Sequence, residues 1–166
     1  MMIDISPVLN GKKAEIEISQ EVKCDSNELR TYGVTESSPV ILDGRIFFVD
    51  SELYLELNYR SEFIFECSRC LEGVKRDIQG RIFKEILHED EIEEEIDAVG
   101  HSNYLINLYD VVMEDLILSI PIQVLCDSEC KGLCPNCGIN LNQKQCDCED
   151  EKIDPRFESL KQLFKE

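Results

Sequence analysis

A chain of 166 residues holds about one domain, which excludes a (β/α)8 barrel or a dinucleotide-binding enzyme with a separate substrate domain. Its 17 Lys and Arg stand against 35 Asp and Glu, a formal net charge of −18, so its mean field disfavours nucleic acid and anionic lipid and favours basic proteins and metal ions. No stretch approaches the roughly 18 apolar residues of a membrane span, and residues 1–10 lack the basic start and apolar run of a signal peptide. The nine cysteines therefore read as reduced thiols of a cytoplasmic protein, where clustered cysteines are metal ligands more often than disulfides.

Residues 1–38 are weakly patterned. Ile16 and Ile18 alternate with Glu15 and Glu17 as in a short strand, and Asp25-Ser26-Asn27 reads as a turn. Val40-Ile41-Leu42 and Ile46-Phe47-Phe48-Val49 flank Asp43-Gly44, either a bend in one strand or a tight hairpin. From Leu53 to Cys67 apolar and polar residues alternate with few exceptions, which predicts a half-buried strand. The run exceeds an average strand, so a bend is expected near Asn58 to Ser61. Val74, Ile78, Ile82 and Ile86 mark one side of another strand over 74–87, and the Cys67-to-Gly73 link joins the two.

Seven acids fill the nine positions from Glu89 to Asp97, a self-repelling run that reads as a solvated loop. Leu105, Leu108, Val112, Leu116 and Ile120 then recur at helical spacing, with Asn107 as cap and Pro121 as stop. Val111, Met113, Ile117 and Leu118 widen its apolar arc, and Ile122 to Leu125 reads as a short extended piece. Near the end Asp154 can cap a helix with Pro155 in its first turn and Phe157, Leu160, Leu163 and Phe164 as its apolar stripe. The expected fold class is α+β: an antiparallel β-sheet from about 40–87 packed on a buried helix near 107–120. The expected divisions are an α+β domain over 1–125 (β-rich 38–88, acidic loop 89–97, helix 105–120), a cysteine-rich zinc module over 126–150 and an amphipathic helix over 151–166.

Eight cysteines come in pairs: Cys67-x-x-Cys70, Cys126-x-x-x-Cys130, Cys134-x-x-Cys137 and Cys146-x-Cys148. Cysteines two or three residues apart can bend over one ion, and zinc takes four ligands at tetrahedral corners. Gly138 after Cys137 permits the left-handed turn of such a knuckle. Eight paired thiols make two sites of four, one or two zinc ions (Zn2+) per chain. The first site is local: Cys134, Cys137, Cys146 and Cys148. In the second, Cys67, Cys70, Cys126 and Cys130 staple the sheet to the segment after the helix. The rival is a single site from Cys126, Cys130, Cys134 and Cys137, and an iron–sulfur cluster is the minor alternative for the metal. Lone Cys24 reads as a structural thiol.

Three catalytic readings fail on the residues. Cys130-x-x-x-Cys134-x-x-Cys137 has the spacing of a radical S-adenosylmethionine loop, but Asn136 replaces the usual aromatic residue and only 29 residues follow. Neither His88 nor His101 has the Glu two positions on that zinc nucleobase deaminases use. A redox role for Cys67 and Cys70 lacks an alternating β/α context. All-cysteine zinc sites are closed to substrate, so no enzyme is expected. Arg69 and Arg156 lie in motif-like surroundings and are candidates for partner contact beside the bland reading of a structural ion pair. Glu91, Glu93, Glu94 and Glu95 are a candidate dock for a basic tail.

Cys67-Ser68-Arg69-Cys70-Leu71 after a long alternating strand, Cys126…Cys130-Lys131-Gly132-Leu133-Cys134-Pro135-Asn136-Cys137-Gly138, Leu141-Asn142, Cys146-Asp147-Cys148 and Asp154-Pro155-Arg156 occur in this order. Over roughly 38–165 that order resembles the YceD family, named for large ribosomal RNA subunit accumulation, in its cysteine-rich Gram-positive-type form. The resemblance implies a cytosolic, non-enzymatic factor supporting accumulation of large-subunit ribosomal RNA. Charge limits how such a role is played: a −18 chain is better suited to hold a basic large-subunit ribosomal protein, or to join a pre-ribosomal particle, than to grip bare RNA. The alternatives are direct RNA binding through a patch of Arg69, Lys75 and Arg76, and a metal-responsive regulator.

Overall fold

The computed structural model describes residues 1–92 and 97–148. The helix expected over 151–166, with Arg156, lies outside these residues, as do Glu93, Glu94 and Glu95. The chain begins with β1 (Met2–Asp4), a single-turn α1 (Ser6–Leu9), β2 (Glu15–Val22) and a short α2 (Ser26–Arg30). Where a turn is expected, the Asp25 carboxylate accepts the Asn27 N–H at 2.9 Å and caps α2. There follow β3 (Val34–Ser37), β4 (Val40–Val49), β5 (Glu52–Glu66), β6 (Gly73–His88), a 3-10 turn over Glu89–Glu91, β7 (Ala98–His101), β8 (Leu105–Asn107) and α3 (Leu108–Ser119).

The main sheet runs in the order β2-β4-β5-β6-β7, and β3 pairs with the far end of β5. All these pairs are antiparallel except β6–β7, a departure from the expected antiparallel sheet. The parallel pairing is short, from Glu85↔Ala98 to His88↔His101. β1 and β8 form a separate two-stranded pair. Leu105 to Asn107 thus belong to a strand, and the helix starts at Leu108, where the Asn107 side chain accepts the Tyr109 N–H at 3.3 Å.

β4 passes unbroken through Asp43-Gly44. The hairpin lies instead at Asp50-Ser51, whose φ values of 48° and 78° give the two positive angles of a tight two-residue turn. Gly44 serves strand packing rather than a turn. A β-carbon there would overlap the Glu56 carbonyl oxygen, so only glycine lets β4 approach β5 this closely. β5 also runs uninterrupted through the expected bend. The irregularity falls on its partner side, where β3 and β4 share it and Ser38-Pro39 separates them. There the Ser61 hydroxyl donates to the Ser38 carbonyl at 2.8 Å, satisfying a buried polar group.

The alternation of β5 reads out directly: Leu53, Leu55, Leu57, Tyr59, Ser61, Phe63 and Phe65 are all buried. Leu108, Val112, Met113 and Leu116 of α3 are buried with them in one cluster. Leu118 is 81 % exposed and takes no part in the apolar arc assigned to it, and Ile122 to Leu125 is no strand, with Ile122 fully exposed. A polar contact fixes helix to sheet. The Tyr59 hydroxyl donates to Asp115 Oδ2 at 2.6 Å and lies 2.9 Å from Ser119 Oγ. Its ring fills the space over Gly80 that a β-carbon would occupy. The other face of the sheet is solvated and carries a ladder of charge across four strands: Glu15 and Glu56 flank Arg45 at 3.5 and 3.0 Å, and Glu56 accepts from Arg81 at 2.6 Å. Among the described residues no helix is long and apolar enough to cross a membrane.

Burial, reinforced by Asp115, pushes the Tyr59 phenol up to about 12. Tyr59→Phe is expected to cost about 1–2 kcal/mol in urea unfolding by removing the charge-assisted hydrogen bond to Asp115. A folded-state pKa above the unfolded value of about 10 contributes stability that is complete below that pH and is lost as pH rises towards about 12. The difference between wild type and Tyr59→Phe should accordingly narrow over that interval.

Candidate metal centres

Two chain turns of the same construction present the first thiols. In Cys67-Ser68-Arg69-Cys70-Leu71, the Leu71 N–H donates to the Cys67 carbonyl at 2.9 Å and the Cys67 N–H to the Glu72 carbonyl at 2.8 Å. In Cys134-Pro135-Asn136-Cys137-Gly138, Gly138 donates to the Cys134 carbonyl at 2.9 Å and Cys134 to the Ile139 carbonyl at 2.8 Å. Each turn ends in a left-handed residue, Gly138 at φ 72° and Leu71 at φ 61°. The glycine is visible in the sequence as a knuckle signal. Leucine at the equivalent position conceals the likeness, because an L side chain in this region is strained.

The structure assembles the thiols into the two expected groups. Cys67, Cys70, Cys126 and Cys130 form one, and Cys134, Cys137, Cys146 and Cys148 the other, with the sulfurs of each group within 4.8 Å of one another. The rival set mixing Cys126 and Cys130 with Cys134 and Cys137 is divided between them. In the first group Cys67 Sγ lies 3.8 Å from Cys130 Sγ and Cys70 Sγ 3.5 Å from Cys126 Sγ. All nine cysteines are free thiols. Zinc–sulfur bonds of about 2.3 Å at tetrahedral corners place sulfurs about 3.8 Å apart, so the donor set and its spacing fit a tetrathiolate ion.

The surroundings of the thiols differ within each group. Burial alone would raise Cys67, but the N–H groups of Arg69, Cys126 and Cys70 overcome it and bring the thiol down to about 6. The N–H groups of Cys137 and Asn136 bring Cys134 down to about 6 despite burial. Cys126 is pushed up to about 12 by Cys130 and Cys70, and Cys148 to about 12 by Cys137 and burial. Backbone donors thus favour thiolate at the first knuckle cysteine, while crowded sulfurs oppose a second charge nearby. A divalent cation removes that conflict, which is why such a set suits one.

Further side chains frame the centres. Arg69 does not reach a carboxylate: its Nη1 donates to the Cys130 carbonyl at 2.7 Å and the Ser128 carbonyl at 3.5 Å. Arg76 donates to the Leu125 carbonyl at 3.1 Å, and Lys75 pairs with Glu62. Asn142 Nδ2 donates to Cys130 Sγ at 3.2 Å while its Oδ1 accepts the Lys131 N–H at 2.8 Å. Glu72 Oε1 accepts from Asn140 at 2.9 Å and Gln143 at 2.6 Å, tying the first knuckle to the segment that bears the second. Gly132 (φ 77°) lies against Arg69, where a β-carbon would meet the carbonyl oxygen at 2.9 Å. Asn140 and Gln143 carry no sequence signal, because each works through Glu72, distant in the chain, and Arg76, expected in an RNA patch, instead holds the Leu125 carbonyl.

The remaining candidates lie elsewhere. Cys24 is half-buried outside both groups, its thiol raised by burial and by Glu28. His88 and His101 meet edge-on with ring centroids 5.2 Å apart, at paired positions of β6 and β7. Glu91 is exposed and accepts the His88 N–H at 3.4 Å.

Three substitutions test this construction. By native mass spectrometry, Cys134→Ser should remove the ion of the local group alone and Cys67→Ser that of the stapling group. Leu71→Gly should keep both ions and raise thermal stability by about 1 kcal/mol, by relieving the left-handed strain. An unchanged metal count in either cysteine variant would contradict the assignment.

Comparison with known proteins gives the family. The family model "Large ribosomal RNA subunit accumulation protein YceD" matches residues 55–164. A Mycobacterium tuberculosis protein of uncharacterised function is 25 % identical over 169 residues, covering 99 % of this chain and 81 % of that protein. Bacillus subtilis YlbN is 26 % identical over 158 residues, covering 93 % of this chain and 91 % of that protein. The chloroplastic "Large ribosomal RNA subunit accumulation protein YCED homolog 1" of Arabidopsis thaliana is 46 % identical over 52 residues, 31 % of this chain and 16 % of that protein. No solved structure matches significantly. The family match spans both knuckles and the segments that carry the remaining paired thiols, and on it the chain belongs to the YceD family.

Proposed function

We propose that this protein is a zinc-stabilised, non-enzymatic factor that supports large-subunit ribosomal RNA accumulation by holding a basic ribosomal protein or joining a pre-ribosomal particle. Membership of a family described by that accumulation supports the ribosomal role. The observation that carries the protein-contact reading is the charge of −18, which opposes long-range attraction to RNA and attracts cationic proteins. The surroundings of the basic residues point the same way. Of the three cations that would make an RNA patch, Lys75 pairs with Glu62, while Arg69 and Arg76 hold carbonyls of the Leu125–Cys130 segment.

Tetrathiolate centres support a structural use of zinc. Four sulfurs complete the coordination and leave no position for substrate. Cys67, Cys70 and Cys130 are buried, the setting of an ion that stabilises a fold rather than one exchanged as a signal.

Affinity capture with the tagged full chain, with and without ribonuclease, tests the proposal. A basic large-subunit protein should remain bound after RNA is digested, and its association rate should fall with added salt as the Debye length shrinks from about 30 Å at 0.01 M to about 10 Å at 0.1 M. Loss of every partner on digestion, with tight binding of the isolated protein to naked ribosomal RNA, would replace this reading with direct RNA binding.

A further inference from the structure

The two outer strands of the main sheet are unlike. β7 is four residues long, whereas β2 runs for eight and pairs with β4 in unbroken register from Glu15↔Phe47 to Val22↔Val40. Among the described residues no strand covers the other side of β2. Proteins blunt such edges with proline, lysine, a bulge or a very short strand. Glu15-Ile16-Glu17-Ile18-Ser19-Gln20-Glu21-Val22 has no proline or lysine, and its pairing shows no register shift.

β2 carries carboxylates instead, and they share one face. Ile18 and Val22 point into the core, so Glu15, Glu17 and Glu21 project from the solvated face by the period-2 rule. Glu15 is 3.5 Å from Arg45. Glu17 and Glu21 are exposed, and among the described residues neither has an ion-pair partner. This arrangement discriminates between visitors. A second β2 added at the edge would bring like charges together across the new pair, which is destabilising. A strand with lysine or arginine at alternate positions would meet opposite charges there and gain main-chain hydrogen bonds.

We propose that the free edge of β2 is a docking site for an extended, lysine- and arginine-bearing segment of a partner protein, which joins the sheet as an additional strand. This deepens the protein-contact reading above and rests on it. Main-chain bonds supply affinity, and Glu15, Glu17 and Glu21 supply the preference for a cationic strand.

The test uses the full chain and an eight-residue probe peptide of alternating lysine and valine, with a second peptide of equal charge in which prolines replace the valines. The first peptide should bind and slow hydrogen exchange at the amides of residues 15–22. Glu17→Lys with Glu21→Lys should weaken it at least about tenfold, because two attractive pairs become repulsive. The proline peptide, in which every second residue lacks an N–H and is held at a φ of about −65° rather than that of a β-strand, should fail to bind. Equal binding of both peptides would overturn strand addition in favour of diffuse electrostatics, and absence of binding by either would overturn the site. Affinity capture separates the two readings: a basic ribosomal protein retained by the Glu17→Lys, Glu21→Lys variant removes the β2 dock and leaves the proposed function standing. Capture of RNA alone removes both.

Discussion

Cys67 meets Cys130 across 63 residues of chain, and Cys70 meets Cys126 across 56. Everything between these contacts, from β6 through α3, is enclosed in the loop they close. A metal ion held by the four sulfurs would clip that loop closed, with a benefit that grows slowly with loop length, and would fix where the Cys126–Cys130 segment can lie. The second thiol group is tied to the first: the Leu133 N–H donates to the Arg69 carbonyl at 3.0 Å, and Asn142 Nδ2 donates to Cys130 Sγ at 3.2 Å. The cysteine-rich part is thus built on the end of the sheet.

The sheet is ready for this because its long central strands end at the knuckle. β5 delivers Cys67 directly after Glu66, and β6 starts at Gly73, so the turn between two paired strands is the turn that presents Cys67 and Cys70 to the first thiol group. Its geometry is held by the thirteen-residue register of β5 on β6. The opposite side of the core locks α3 to the same strands through Tyr59, Asp115 and Ser119. The segment leaving α3 therefore arrives beside the knuckle, where the Ser68 N–H donates to the Val124 carbonyl at 2.8 Å.

Charge is distributed in keeping with this architecture. Basic residues near the module bind its main-chain carbonyls, and those on the open face alternate with glutamates in a cross-strand ladder. Among the described residues the edge strand β2 carries further acids: Glu15 joins the ladder through Arg45, while Glu17 and Glu21 are exposed without an ion pair. Arg45, Arg69, Arg76 and Arg81 are thus occupied within the fold, while Glu17 and Glu21 stay open to solvent.

Sequence alone determined the parts governed by short-range periodicity and spacing. The alternation of Leu53 to Phe65, the Asn107 cap and the pairing of eight cysteines into two groups were legible, because each depends on residues close in the chain or on the ligand count of one ion. The true hairpin at Asp50-Ser51 carried no Asn-Gly signal, and Gly44, which looked like a turn, answers to Glu56 on the neighbouring strand, twelve residues on (56 − 44). The left-handed Leu71 was hidden because a knuckle can impose that conformation on a residue that does not prefer it. Which strands lie side by side, including the parallel β6–β7 pair and the exposed edge of β2, was decided only in the tertiary structure. Those choices arise from packing segments distant in the chain around one core, and no local pattern encodes them.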